Sequence, residues 1–192
     1  MMKKIVIIAS VVVMLFSLTC CVGRHDRIMN ASVSYAKDNI DLLKDCADSL
    51  KEQLLEISNQ KEPDSYMAYK VELQENSILR LYDYTTQRET EIENKLCQQV
   101  LSSNVIDLIT VHFHKGVWSV EFSCGGYGFG PDTKYYAIQI ITSDDPSNLW
   151  HFDDEMIFVE KDNGFWGSRS DSDNSFYYFK IADGVYYTEA AF

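Results

Sequence analysis

From Val105 to Cys124 apolar and polar residues alternate on either side of Lys115-Gly116. With a tight turn at that dipeptide, Ile109 faces Phe122, Val111 faces Val120 and Phe113 faces Trp118, all on one side. His112–Ser119 and Thr110–Glu121 then occupy the other side. A slip of one residue would turn every apolar side chain to the wrong face, so this stretch admits one antiparallel register. Clean alternation of this kind predicts a sheet with one packed face and one face in water.

The pattern continues toward the C-terminus. A strand is expected at Lys134–Thr142, after Cys124-Gly-Gly-Tyr-Gly-Phe-Gly-Pro131 and before a polar loop, Ser143–Asp154. Met156–Lys161 and Phe165–Arg169 flank Asp162-Asn163-Gly164, and Phe176–Ile181 and Val185–Ala190 flank Asp183-Gly184. Asn-Gly and Asp-Gly suit two-residue hairpins because both central residues need positive φ. Residues 103–192 are therefore expected to form an antiparallel β meander of about seven strands.

Upstream the period changes. Val33, Ala36, Ile40, Leu43, Ala47, Leu50, Leu54 and Ile57 recur at alternating steps of three and four, with no Pro or Gly between Met29 and Glu62. This is an a/d heptad seam, and it predicts a long helix. Pro63 ends it. A weaker seam, Met67, Val71, Gln74, Ile78, Leu81, Thr85, Arg88 and Ile92, suggests a second helix returning over the first. In that arrangement Leu50 meets Ile78, and Lys51 and Lys37 approach Glu75 and Glu89. The expected class is α+β: an N-terminal antiparallel helical hairpin, coiled-coil-like, over 33–102, followed by the β domain at 103–192.

The first residues set the address. Lys3 and Lys4 precede an apolar run from Ile5 to Leu18, and no acid occurs before Asp26. A short basic region followed by a short apolar one is the layout of an export signal. It falls short of the ~20 apolar residues of a full span, although an uncleaved single-pass anchor is the alternative. Leu18-Thr19-Cys20-Cys21 resembles a bacterial lipobox, with Cys21 as the lipidated residue and Cys20 as the alternative. Two acyl chains would moor a folded domain to a membrane without a spanning helix. Residues 1–20 are then signal peptide and 21–32 a lipid-anchored tether. Cleavage removes two lysines and no acid, which takes the net charge from −12 to −14. So acidic a chain lacks the basic patches that nucleic acid requires.

No motif announces catalysis. His112 and His114 share one face of a strand and would supply two metal ligands. His151 and Asp153 could complete a site, but a site needs three or four. Solvent-exposed histidine is the simpler expectation. Cys124 invites comparison with a nucleophile, but the register puts it on the face away from His112. The loop Gly125, Gly126, Tyr127, Gly128, Phe129 and Gly130 leads through Pro131 to a strand, not to a helix N-terminus, so it is no dinucleotide cradle. It remains a possible binding loop. Asp171-Ser-Asp173-Asn-Ser175 begins like a calcium loop but has Phe176 where glycine belongs and Ala182 where glutamate belongs. No cofactor is implied. Cys46, Cys97 and Cys124 are odd in number and close no disulfide framework; in an exported chain they imply either a cell type that seldom oxidises its thiols or one bridge with one spare. Consecutive aromatics at Tyr135–Tyr136 and Phe176–Phe179 must point to both sides of a sheet. One side is core; the other is either covered by the helices or exposed as a ligand or protein face.

The run FSCGGYGFGPDTKYYAIQI and the terminal SFYYFKIADGVYYTEAAF resemble the C-terminal region of uncharacterised lipoproteins of low-GC Gram-positive bacteria, over residues 120–192. There a Gly-rich loop precedes a strand with paired tyrosines, and the chain ends in a tyrosine-rich hairpin. Ala137 stands where that pattern has glycine. The resemblance implies localisation and fold and brings no activity. The sequence thus leads to an exported, membrane-tethered protein with a non-enzymatic binding or structural role at the cell envelope, whose partner is an envelope protein or a glycan. An extracellular enzyme acting on cell-wall or glycan material is the alternative.

Overall fold

The computed structural model describes residues 25–58, 66–114, 116–127, 133–142, 156–161, 163–169 and 175–191. Residues 25–38 (α1) and Ile40–Ser58 (α2) make one nearly continuous helix. It steps at Asn39, whose amide donates to the Ala36 carbonyl at 3.3 Å while its side chain donates to the Tyr35 carbonyl at 2.9 Å. This i→i−3 bond is a local 3₁₀ tightening. The tether expected over 21–32 is thus helical from residue 25, and Ser32 is buried.

Five of the eight heptad positions form the buried stripe, while Val33 and Ile40 are half-buried and Ile57 is exposed. Ala36, Leu43, Ala47, Leu50 and Leu54 are each no more than 5% exposed, and Cys46 joins them. Their partner is a sheet, not a second helix. Residues expected to form the returning helix instead form β1 (Met67–Leu73), β2 (Leu79–Asp83) and β3 (Arg88–Ile92), with only the short α3 (Lys95–Leu101) helical. The helical hairpin over 33–102 is therefore overturned. Its weak seam held three polar residues in eight, whereas the same stretch carries a sound period of two. Met67, Tyr69, Val71 and Leu73 point one way, continued by Leu79 and Leu81. The turns between the strands lack Gly and Pro. Ser77 and Gln87 take positive φ, 59° and 56°, and Asp83 accepts from the amides of Thr85 and Thr86. Asn76, Ser77 and Asp83 suit turns, but without Gly or Pro beside them the strands resembled uninterrupted helix. Glu89 pairs with Arg80 across the β2–β3 ladder at 3.2 Å, not with Lys37.

After α3 the chain adds β4 (Leu108–His114), β5 (Val117–Tyr127), β6 (Lys134–Ile141), β7 (Met156–Lys161), β8 (Gly164–Arg169), β9 (Ser175–Ala182) and β10 (Val185–Ala191). Among the described residues there is one antiparallel sheet of ten strands, in the order β3-β2-β1-β4-β5-β6-β10-β9-β8-β7. It is not a simple meander of seven, because β6 neighbours β10 and β7 lies at the far edge. Nor do 33–102 and 103–192 separate, since β1 and β4 are adjacent strands. In the β4–β5 hairpin Ile109 faces Phe122 and Phe113 faces Trp118. These side chains pack toward the helices in one core with Val71, Leu79, Ile138 and Val185.

The opposite face is the second correction. His112 is 7% exposed, Ser119 2% and Gln139 0%, so the polar side of this hairpin is not in water. A smaller cluster on that side joins Ile141, Phe176, Tyr178 and Tyr186. Alternation reports which residues share a face; it cannot report what covers that face.

Gly164 opens β8 opposite Phe179. A Cβ there would run into the Tyr178 carbonyl, a backbone atom with no rotamer to yield. Gly164→Ala is expected to cost about 1–3 kcal/mol, the usual toll of forced overpacking, and to loosen β7–β8 first. Hydrogen exchange in β8 that matches the wild type would refute this close approach.

Candidate functional site

Two polar constellations stand out. The first begins at Tyr66, the residue before β1, which remains 43% exposed. Its hydroxyl shares a hydrogen bond of 3.2 Å with His112 Nδ1. Its ring stacks on His112 at 6.2 Å and meets His114 edge-on at 6.1 Å. Burial holds the His112 imidazole down at about 4, so it is neutral at physiological pH. The two histidines thus do share a face, as their spacing requires, and Tyr66 lies against both.

Tyr66 also borders a cleft of about 430 Å³ between the end of α2 and strands β1–β3. Met67, Leu81 and Ile57 supply apolar wall, and Tyr69, Asp83 and Arg88 supply polar groups. Burial and the nearby Asp83 charge push the Tyr69 hydroxyl up to about 12, so it stays a neutral hydroxyl. Asp83 is bound by its own turn, accepting also from Thr86 Oγ1 at 2.8 Å. The cleft offers a hydroxyl, a guanidinium, a carboxylate and an aromatic ring in a volume typical of small-ligand sites.

The second constellation runs across the sheet on the face that also carries His112. Lys70, Thr110, Glu121, Gln139, Tyr186 and Lys180 lie in register on six successive strands. Gln139 Nε2 donates to Ser119 Oγ at 2.6 Å, while Gln139 Oε1 is buried and finds no hydrogen bond among the described residues. Glu121, beside it, is half-buried at its surface but deep enough that burial pushes its carboxyl up to about 7. Such a group can exchange a proton near neutrality.

Cys124 is half-buried on the helix-facing side, donates toward the Phe122 carbonyl at 3.5 Å, and is pushed up to about 12, chiefly by burial. That disfavours a thiolate. Gly125, at φ 91°, lies in a β-bulge between Ser123 and Gly126. Gly126 approaches the Lys134 carbonyl so closely that a Cβ would sit 2.6 Å from it. Tyr127 ends β5. These glycines serve strand geometry. Gly128, Phe129, Gly130, His151, Asp153, Asp171, Asp173, Cys20 and Cys21 lie outside the described residues. Among the described residues no three His, Cys, Asp or Glu side chains converge as a metal site would require, and no helix is long and apolar enough to cross a membrane.

Tyr69, Asp83 and Arg88 escaped the sequence reading because they were assigned to a helix. The alternation Met67, Tyr69, Val71, Leu73 is the signal that could have found them. Glu121 and Gln139 escaped because their face was expected in water; the flanking Val120, Phe122, Ile138 and Ile140 gave no means of telling. No family model, curated protein or solved structure matches the chain.

Proposed function

We propose that the protein is an exported, lipid-tethered envelope protein that binds a small hydroxyl-bearing ligand, of the kind a wall glycan presents, in the cleft at Tyr66. The observation that carries this reading is the cleft itself, of ligand size, with an exposed aromatic ring at its mouth and donors and acceptors along its wall. A sugar ring uses both kinds of surface: its C–H face packs on an aromatic ring and its hydroxyls both donate and accept. The tether supports the location. Cys21 stands four residues before His25, a reach of at most about 14 Å. His25 is held on the sheet by Tyr136 at 3.1 Å and by Glu189 at 3.7 Å. A lipid on Cys21 would therefore keep the domain close to the bilayer.

Calorimetry with soluble peptidoglycan fragments tests the ligand. Tyr66→Ala and Arg88→Ala should each weaken binding about tenfold, consistent with losing ~1–1.5 kcal/mol of stacking or charge-assisted hydrogen bonding, and Lys180→Ala should leave it unchanged. Wild-type protein that ignores every fragment would sink the ligand assignment. Mass spectrometry of the mature N-terminus tests the tether, which a free Met1 without acyl groups would overturn. A second reading, a wall-active enzyme, draws on the near-neutral Glu121 carboxyl; turnover of the same fragments that vanishes in Glu121→Gln would favour it.

A further inference from the structure

We propose that Cys46 of α2 and Cys97 of α3 form a disulfide that staples the two helices together. Their sulfurs lie 3.4 Å apart across 51 residues of sequence, and both residues are 0% exposed. A disulfide requires about 2.05 Å between sulfurs and side chains that point at one another, so closure needs little more than 1 Å of approach. The pairing is held from outside the sulfurs. Asn94 caps α3, and its Oδ1 accepts from the Cys97 amide at 3.1 Å. The same side chain donates through Nδ2 to Ser49 Oγ at 3.0 Å and to Gln53 Oε1 at 3.3 Å, both on α2. One residue three places before Cys97 thus grips α2 three places after Cys46. The two helices are clamped in the register that brings the sulfurs together. Cys124, on β5, is the spare thiol.

The chemistry balances with a small disulfide as oxidant. One thiolate attacks the oxidant and forms a mixed disulfide, releasing one thiol. The second thiolate attacks the bound sulfur, closes Cys46–Cys97 and releases the other thiol. Two protons and two electrons pass to the oxidant. In the folded protein, the hydrogen bond to Cys46 and burial raise the Cys97 thiol well above its usual range. The bridge therefore forms as the chain folds or opens, not by attack from the closed core.

The test uses the full chain, reduced and then refolded with glutathione disulfide. Remaining thiols are alkylated and the protein is digested without reductant. The expected product is a cross-linked peptide pair containing Cys46 and Cys97, with Cys124 alkylated. Closing a loop of about 50 residues should raise the folded-to-unfolded ratio about a thousandfold, and dithiothreitol should abolish the gain. Cys46→Ala and Cys97→Ala should each be insensitive to dithiothreitol; Cys46→Val, which keeps more of the packing, serves if the alanine variant does not fold. Alkylation of both residues in the wild type, a bridge to any other cysteine, or wild-type stability indifferent to reductant would overturn the proposal.

Discussion

Leu43→Asp/Leu50→Asp protein is expected to lose its sheet together with its helix, in one step. Both leucines are 0% exposed and face the strands. Cutting a buried leucine back to alanine typically costs about 2–5 kcal/mol, and a carboxylate in the same place adds desolvation. Two such changes reach the order of 5–15 kcal/mol that is a domain's whole stability. Since α2 and the strands share one core, no half of the molecule survives separately. Far-ultraviolet circular dichroism should lose helix and sheet signals alike, and the near-ultraviolet signal of the buried Trp118 should vanish with them. A separate helical hairpin would instead lose its helix and leave the β region native. Persistence of the Trp118 signal would refute the shared core.

The second large effect is a concealed pH dependence. Glu121 is pushed up to about 7 from 4.5 in the folded protein, and His112 down to about 4 from 6.5. Between these limits the folded state holds the Glu121 proton more tightly than the unfolded state does, so stability falls as pH rises from 4.5 to 7. For His112 the unfolded state is the better proton binder, so stability falls as pH drops from 6.5 to 4. A shift of about 2.5 units corresponds to up to about 3 kcal/mol for each group, and over pH 4.5–6.5 the two oppose. In the wild type they should nearly cancel. Glu121→Gln should expose the histidine, with stability declining on acidification below 6.5 and exceeding the wild type at pH 8. His112→Gln should expose the carboxyl, with its own stability rising as pH falls from 7 to 4.5. Urea midpoints from pH 4 to 8 decide it; variant curves parallel to the wild type would mean that neither group is buried as described.

The same two residues show where sequence reading stopped. Placing His112 beside Ser119 and Glu121 beside Thr110 needed only the Gly116 turn and a period of two. Their burial depends on what lies over the face, and no local pattern carries that. The α2 stripe was legible for the same reason as the hairpin: three and a half repeats of one period leave one helical phase. What that stripe packs against was not legible, because a heptad seam and a sheet-facing helix present the same leucines.

The sequence by itself determined the helix through Leu43 and Leu50, the register of β4 on β5, and the reversals at Gly116 and Gly184, because each follows from side-chain periodicity or from a residue able to take positive φ. Only the tertiary structure decided that 66–92 is sheet, since Ser77 and Gln87 take positive φ without the glycine that would have announced it. It alone set β10 beside β6, covered the polar face and brought Cys46 against Cys97. These depend on contacts between residues tens of positions apart, whose energies no window along the chain contains.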